Sequence, residues 1–141
     1  MEHPFADADE VYHRQMPSRL ENRQEIIEEV LEKLTSLGCL LDPFFDRLFL
    51  DELISNAVLH GNGQDPRKRV TVRAFCKKGQ WGFEVGDEGS GFDWKAFLEK
   101  LKKPLDLARP SGRGLQLILA SGAELHFLDG GRRVVVVRKR G

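Results

Sequence analysis

The apolar residues of this chain change period once, and that change limits the fold more than any other feature. Up to His60 they recur every three to four residues, first as Leu20, Ile27, Val30, Leu31, Leu34 and Leu37. A second run follows as Phe44, Leu48, Phe49, Leu53, Ala57 and Val58. Such spacing paints one face of an α-helix. After the break His60-Gly61-Asn62-Gly63 the pattern alternates instead. Val70–Cys76 and Gln80–Val85 read as two strands around a Lys78-Gly79 turn. Residues 1–10 read as a polar lead-in, and Val11–Met16 as an edge strand. Ser18 is expected to N-cap the first helix, Glu21 completing a capping box, and Gly38 to end it. Asp42-Pro43 opens the second helix. Further on, Trp94–Leu101 and Leu115–Ser121 read as short helices flanking a loose segment through Pro104 and Pro110. Glu124–Leu128 and Arg133–Arg138 close the chain as a hairpin around Asp129-Gly130-Gly131. Helices on one face of a mixed, mostly antiparallel sheet give an α+β two-layer sandwich.

At 141 residues the expectation is a single domain over 1–141. Lys plus Arg and Asp plus Glu both number 22, so the formal charge is zero. That argues against direct nucleic-acid binding, which calls for a basic excess. No apolar run approaches the roughly 20 residues of a membrane span. The first residues are acidic where a signal peptide is basic and then apolar. A cytoplasmic protein without membrane contact is expected. Cys39 and Cys76 belong to no CxxC or Cys/His cluster, which argues against zinc, and are expected as two reduced, buried thiols.

Three segments carry chemistry. On the second helix, Leu48, Phe49, Leu53 and Leu59 share an arc that also contains Glu52 and Asn56, away from Arg47, Asp51 and Ser55. The helical neighbours of Glu52 are Leu48, Phe49, Ser55 and Asn56, so no cation pairs with it. An unsatisfied amide on such a stripe costs roughly 2–7 kcal/mol, and a carboxylate more. Backbone groups or water satisfy such a pair in some folds; here two i,i+4 neighbours facing the same space read as a functional pocket. Next, Val85-Gly-Asp-Glu-Gly-Ser-Gly-Phe92 sets three glycines around Asp87, letting backbone approach a ligand while the aspartate accepts from an exocyclic amine. An EF-hand starting at Asp87 fails because Leu98 stands where an acidic residue is required. A dinucleotide fingerprint from Gly89 fails at Trp94, and no GxxxxGK[ST] loop exists. By itself this stretch is equally an ordinary tight turn. Last, Gly112, Arg113 and Gly114 open an apolar helix whose free N–H groups and dipole favour an anion. An arginine there opposes the dipole unless an anion is bound. His60 is expected to close its helix rather than to react.

In this order, Asp51-Glu-Leu-Ile-Ser-Asn-Ala-Val-Leu-His-Gly61, Asp87-Glu-Gly-Ser-Gly-Phe92 and Ser111-Gly-Arg-Gly-Leu115 resemble the N, G1 and G2 boxes of the GHKL ATPase/kinase superfamily. The Asn-Ala-Val-Leu-His-Gly wording and the small size are most similar to the anti-sigma factor serine/threonine kinases of the RsbW/SpoIIAB type. The resemblance implies a Bergerat-type ATP-binding fold with ATP and Mg²⁺ as cofactors. It implies Glu52 as general base, Asn56 as Mg²⁺ ligand, and Asp87 as reader of the adenine amine between Gly89 and Gly91. Residues of about 93–111 would form an ATP lid, with Gly112, Arg113 and Gly114 on the phosphates. The implied partners are a sigma factor and a STAS-type anti-anti-sigma protein that accepts the phosphoryl group, and a homodimer is implied as well.

One departure concerns the last strand, Gly131-Arg-Arg-Val-Val-Val-Val137. The family usually carries a threonine near its start, and here it holds no hydroxyl. A nucleotide-sensing module that sequesters a regulator without catalysis is therefore the alternative reading. A detached sensor histidine kinase domain ranks third, since His13, the nearby candidate acceptor, falls in a strand. The basic residues Arg132, Arg133, Arg138, Lys139 and Arg140, like Arg67-Lys68-Arg69, read either as a partner-docking face or as a solvated strand edge.

Overall fold

The computed structural model describes residues 2–39, 42–102 and 113–139, and of Arg113 the backbone only. Strand β1 (Asp9–Pro17) forms one sheet edge and leads through a 3₁₀ turn at Leu20–Asn22 into helix α1 (Arg23–Ser36). Ser18 does not cap this helix. The intervening turn delays the helix start to Arg23, and the Ser18 N–H bonds to the Lys68 carbonyl at 3.1 Å. Gly38 ends α1 as expected. Its φ of 72° lets its own N–H reach the Thr35 carbonyl and the Cys39 N–H reach that of Leu34, the paired closure of a Schellman motif. Helix α2 (Pro43–Asn56) starts at Asp42, whose side chain accepts from the Phe45 N–H at 3.4 Å. It passes into one π-helical turn, Ala57–Gly61, closed by the Asn62 N–H on the Ala57 carbonyl at 2.9 Å.

Strands β2 (Arg69–Lys77) and β3 (Gln80–Gly86) form the expected hairpin. After helices α3 (Trp94–Leu101) and α4 (Arg113–Ala120), β4 (Glu124–Leu128) and β5 (Arg133–Lys139) complete a five-stranded sheet in the order β1-β2-β3-β5-β4. Every pairing among the described strands is antiparallel. Alternation decides the faces. Val70, Val72 and Ala74 of β2, with Trp81, Phe83 and Val85 of β3, meet Ile27, Val30 and Leu34 of α1 and Phe49, Leu53 and Ile54 of α2 in the main core. The result is the expected two-layer α+β sandwich.

The second sheet face is not bare. Residues 3–8, expected as a polar lead-in, fold back across it. Phe5, only 2% exposed, stacks on Phe75 with ring centroids 5.2 Å apart, among Leu128, Val135 and Val137. A Cβ on Gly82 would stand 2.6 Å from that ring, so the missing side chain makes the seat. Glu84 of β3 is buried on this face. Burial alone would raise its carboxyl, but two N–H groups of Arg133, at 2.9 and 3.1 Å, and His3 at 2.7 Å hold it below its ordinary value.

Two cross-layer links differ from expectation. Cys39 and Cys76 are bonded as a disulfide rather than standing as reduced thiols. The turn after α1 sets Cys39 over the helix-facing side of β2, and the Cα separation of 6.7 Å lies within bridging range. The arginines of β5 do not lie on a strand edge, because β5 is an interior strand. Arg133 serves Glu84. Arg138 donates from Nε to the fully buried Asp46 of α2 at 2.9 Å and lies over the Phe49 ring. Burial pushes the Asp46 carboxyl up to about 6, even with Arg138 and the Trp81 indole N–H against it. Lys139 pairs with Glu124 at 2.5 Å and Arg67 with Asp65 at 3.0 Å, while Arg140 lies outside the described residues. Among the described residues no helix is long and apolar enough to cross a membrane.

Candidate functional site

A cleft of about 480 Å³ opens where the end of α2, the glycine-rich loop after β3, the turn before β5 and the start of α4 converge. Leu53, Asn56 and Asp87 line it together with Phe92, Leu115 and Val134. A larger groove of about 670 Å³ lies between α3, α4 and β4; it is lined mostly by leucine and alanine and holds none of the sequence-predicted residues.

Glu52 and Asn56 flank the buried stripe of α2 at its border rather than lying within it. The buried positions of α2 are Asp46, Phe49, Leu50, Leu53 and Ile54, while Glu52 and Asn56 are half-buried. The two touch, with Asn56 Nδ2 3.4 Å from Glu52 Oε1. That contact uses the amide nitrogen and leaves the amide oxygen for another partner. The Glu52 carboxyl is pushed above its ordinary value, chiefly by burial and further by Asp51, against the Asn56 hydrogen bond and the charge of His60. It also rests on the α4 backbone: a Cβ on Gly114 would collide with Glu52 Cδ. Gly114 thus lets the helix N-terminus approach the carboxylate, a reason for glycine that spacing alone does not reveal.

Asp87 stands at the opposite wall. Its Oδ1 accepts from the Gly89 N–H at 2.8 Å, and a Cβ on Gly61 would meet Oδ2. Gly89 in turn leaves no room for a Cβ against the Gly61 carbonyl, and Gly91 adopts a φ of 80°. Burial raises the Asp87 carboxyl, opposed by the Gly89 N–H and by Arg132. The backbones of Gly61 and Gly89 thus form a close glycine cradle around this one acceptor. Gly112 lies outside the described residues, as do the side chain of Arg113 and positions 103–111 of the expected lid. Residues 94–101 of that stretch form α3, capped by Asp93, with Phe97 packed on Phe92 and Phe127. His60 is exposed in the π-helical turn and lines the cleft mouth.

Sequence reasoning missed the apolar side of the cleft. Phe92, Phe97 and Phe127 meet edge to face at centroid distances of 5.5–6.4 Å. Phe92 fits because Gly131, with a φ of 89°, carries no Cβ against its ring. Asn62 was legible only as part of a turn. It is buried, its Nδ2 donating to the Arg69 carbonyl and its Oδ1 accepting from the Glu88 N–H, which fixes the glycine loop to the start of β2.

The profile of the histidine kinase-like ATPase domain matches residues 45–139, from the first turn of α2 to the end of β5. The chain belongs to this ATPase family. The match takes in every element around the cleft, and membership of the GHKL superfamily agrees with the order of the three motifs. Two curated relatives are anti-sigma F factors, from Geobacillus sp. (strain WCH70) and Geobacillus kaustophilus (strain HTA426). Each is 30% identical over 87 residues, covering 55% of this chain and 58% of the relative. The chain thus matches little more than half the length of these relatives. A histidine kinase-like ATPase domain is an ATP-binding domain.

Proposed function

We propose that this chain is an ATP-binding anti-sigma regulator that acts as a serine/threonine protein kinase on a STAS-type anti-anti-sigma protein and sequesters a sigma factor in the cytoplasm. The observation that carries the reading is that Asn56, which Glu52 touches from beside the cleft, lines the same cleft as Asp87 in its glycine cradle. Asp87 would accept the adenine amine. Phe92 and Phe127 would flank the base on the apolar side, and the backbone N–H groups at the start of α4 would face the phosphates.

Asn56 suits Mg²⁺ as a supplier of one oxygen. Phosphate oxygens and water would supply the rest of the octahedron. When bound, Mg²⁺ would neutralise charge on the phosphates. Glu52 then has a defined task. It takes the proton of a serine or threonine hydroxyl as that oxygen bonds to the γ-phosphorus and the bond to the β–γ bridging oxygen breaks, releasing ADP. Its raised pKa moves it toward the range in which a general base is effective. The test is phosphoryl transfer from labelled ATP to a STAS-type protein with Mg²⁺ present. Transfer that is lost in Glu52→Gln with nucleotide binding retained supports the reading, and no transfer by the parent overturns the kinase assignment. Asn56→Ala should weaken Mg-nucleotide binding itself. Sedimentation of the chain tests the proposed homodimer.

A second reading rests on Val134, an apolar residue lining the cleft on a β5 strand that carries no hydroxyl. It describes a nucleotide sensor that sequesters a regulator without turnover. ATP consumption measured beside partner affinity separates the two, since the sensor couples affinity to nucleotide without consuming it.

A further inference from the structure

The turn between β4 and β5 has left-handed backbone at three successive residues, Asp129, Gly130 and Gly131, with φ of 52°, 64° and 89°. The next residue, Arg132, is thereby turned back over the glycine-rich loop that carries Asp87. Its guanidinium donates from Nε to the Gly89 carbonyl at 2.8 Å, from Nη2 to the Ser90 carbonyl at 3.2 Å and from Nη1 to the Asp129 carbonyl at 3.0 Å. Its own carbonyl accepts from the Asp87 N–H at 2.9 Å. The two loops also touch directly: the Phe92 N–H bonds to the Gly130 carbonyl at 2.9 Å, and a Cβ on Gly91 would stand 2.5 Å from that same oxygen.

We infer that Arg132 is a positioning residue for base selection, acting on Asp87 through the peptide of Gly89. This rests on the nucleotide reading of the cleft and names what enforces its specificity. The Gly89 unit is held from both sides. Its carbonyl is fixed by Arg132, and its N–H holds Asp87 Oδ1 in place, which orients the carboxylate. A rigid fork is suited to this, because it satisfies carbonyls of both loops at once where a lysine offers a single point charge. The arginine also supplies positive charge near Asp87, opposing the effect of burial and favouring its ionised, acceptor-only form. An oriented carboxylate accepts from the 6-amino group of adenine and repels the 6-oxo group of guanine. Discrimination therefore depends on how firmly the carboxylate is aimed, while contacts to phosphates do not.

The experiment compares dissociation constants for ATP and GTP, with Mg²⁺, in the parent chain, Arg132→Met, Arg132→Lys and Arg133→Met. Arg133 sheds the same charge from the other sheet face, where it serves Glu84. A hydrogen-bonded charged acceptor sets the scale at about 10- to 100-fold in affinity. In Arg132→Met, ATP affinity should fall by about tenfold or more while GTP affinity changes little, so the preference collapses. Arg133→Met should keep the parent's preference. Arg132→Lys keeps the charge without the fork, and its preference should be reduced as well; this variant decides the matter if the methionine variant does not fold. Equal losses for ATP and GTP, an unchanged preference in Arg132→Lys, or the same collapse in Arg133→Met would each overturn the inference. A parent that binds neither nucleotide overturns the nucleotide reading along with it. A parent that prefers ATP, with unaltered Arg132 variants, removes only the role of Arg132.

Discussion

In the proposed kinase reaction Glu52 serves as the general base, and its environment sets a pH dependence. Burial and Asp51 raise its folded pKa above the 4.5 of an ordinary glutamate. A bound triphosphate adds negative charge nearby and pushes in the same direction. A general base works only when ionised, so turnover should rise with pH through the raised pKa and be lost as pH falls below it. The expected profile of log kcat is an acid limb of unit slope with its midpoint above 4.5. Glu52→Gln should lower kcat by about 10²–10⁴-fold, the usual worth of a positioned base, and erase the limb. Steady-state transfer rates across a pH series check this. A limb of unchanged midpoint in the glutamine variant would assign the titration to another group.

Helix α2 is pinned at both ends, and the two pins do different work. Near its start, Asp46 is buried under Arg138 and Trp81, which fixes the helix on the sheet. Near its end, Glu52 lies on the backbone of Gly114 in α4, so the cleft geometry depends on a contact between two helices. Gly114→Ala should drive the carboxylate aside, because the colliding atoms belong to the far end of a flexible side chain and can yield. The expected result is a fall in kcat of about 10²-fold, as for a misplaced catalytic group, with little change in melting temperature. Transfer assays beside thermal unfolding test it, and a kcat equal to the parent's would mean that Glu52 is active in its displaced position. The elements themselves were legible from the sequence. Period, the Asp42-Pro43 start and the Gly38 stop placed both long helices, and alternation placed the β2–β3 hairpin. What stayed hidden depends on distant partners. No local signal shows that Gly114 must be bare for Glu52, that Arg132 reaches back to Gly89, or that Phe5 fills the place left open by Gly82. Ser18 failed as a cap because a 3₁₀ turn at Leu20–Asn22 moves the helix start on to Arg23.

For the whole molecule, the question is what joins the helix layer to the sheet apart from the shared core. The Cys39–Cys76 bond is the one covalent answer among the described residues. It connects the turn after α1 to the end of β2 across a sequence separation of 37. Closing a loop of that length limits the unfolded chain, and the chain-entropy relation gives about 3–4 kcal/mol of stabilisation before any native-state cost. Its position also sorts stability from function. Cys39 lies just before the N-cap of α2, at the end remote from Glu52 and Asn56, whose neighbours are Gly114 and the glycine loop. The double variant Cys39→Ser, Cys76→Ser should therefore lose about 2–4 kcal/mol of unfolding free energy and keep the parent's nucleotide affinity. Urea unfolding with and without a thiol reductant reads the first quantity, and nucleotide titration the second. Reductant should move the parent's midpoint to that of the variant and leave the variant unmoved. A parent indifferent to reductant would mean that the core, Asp46 with Arg138, and the Phe5 seat hold the two layers together without the bond. A variant that loses nucleotide affinity would mean that the start of α2 controls its far end.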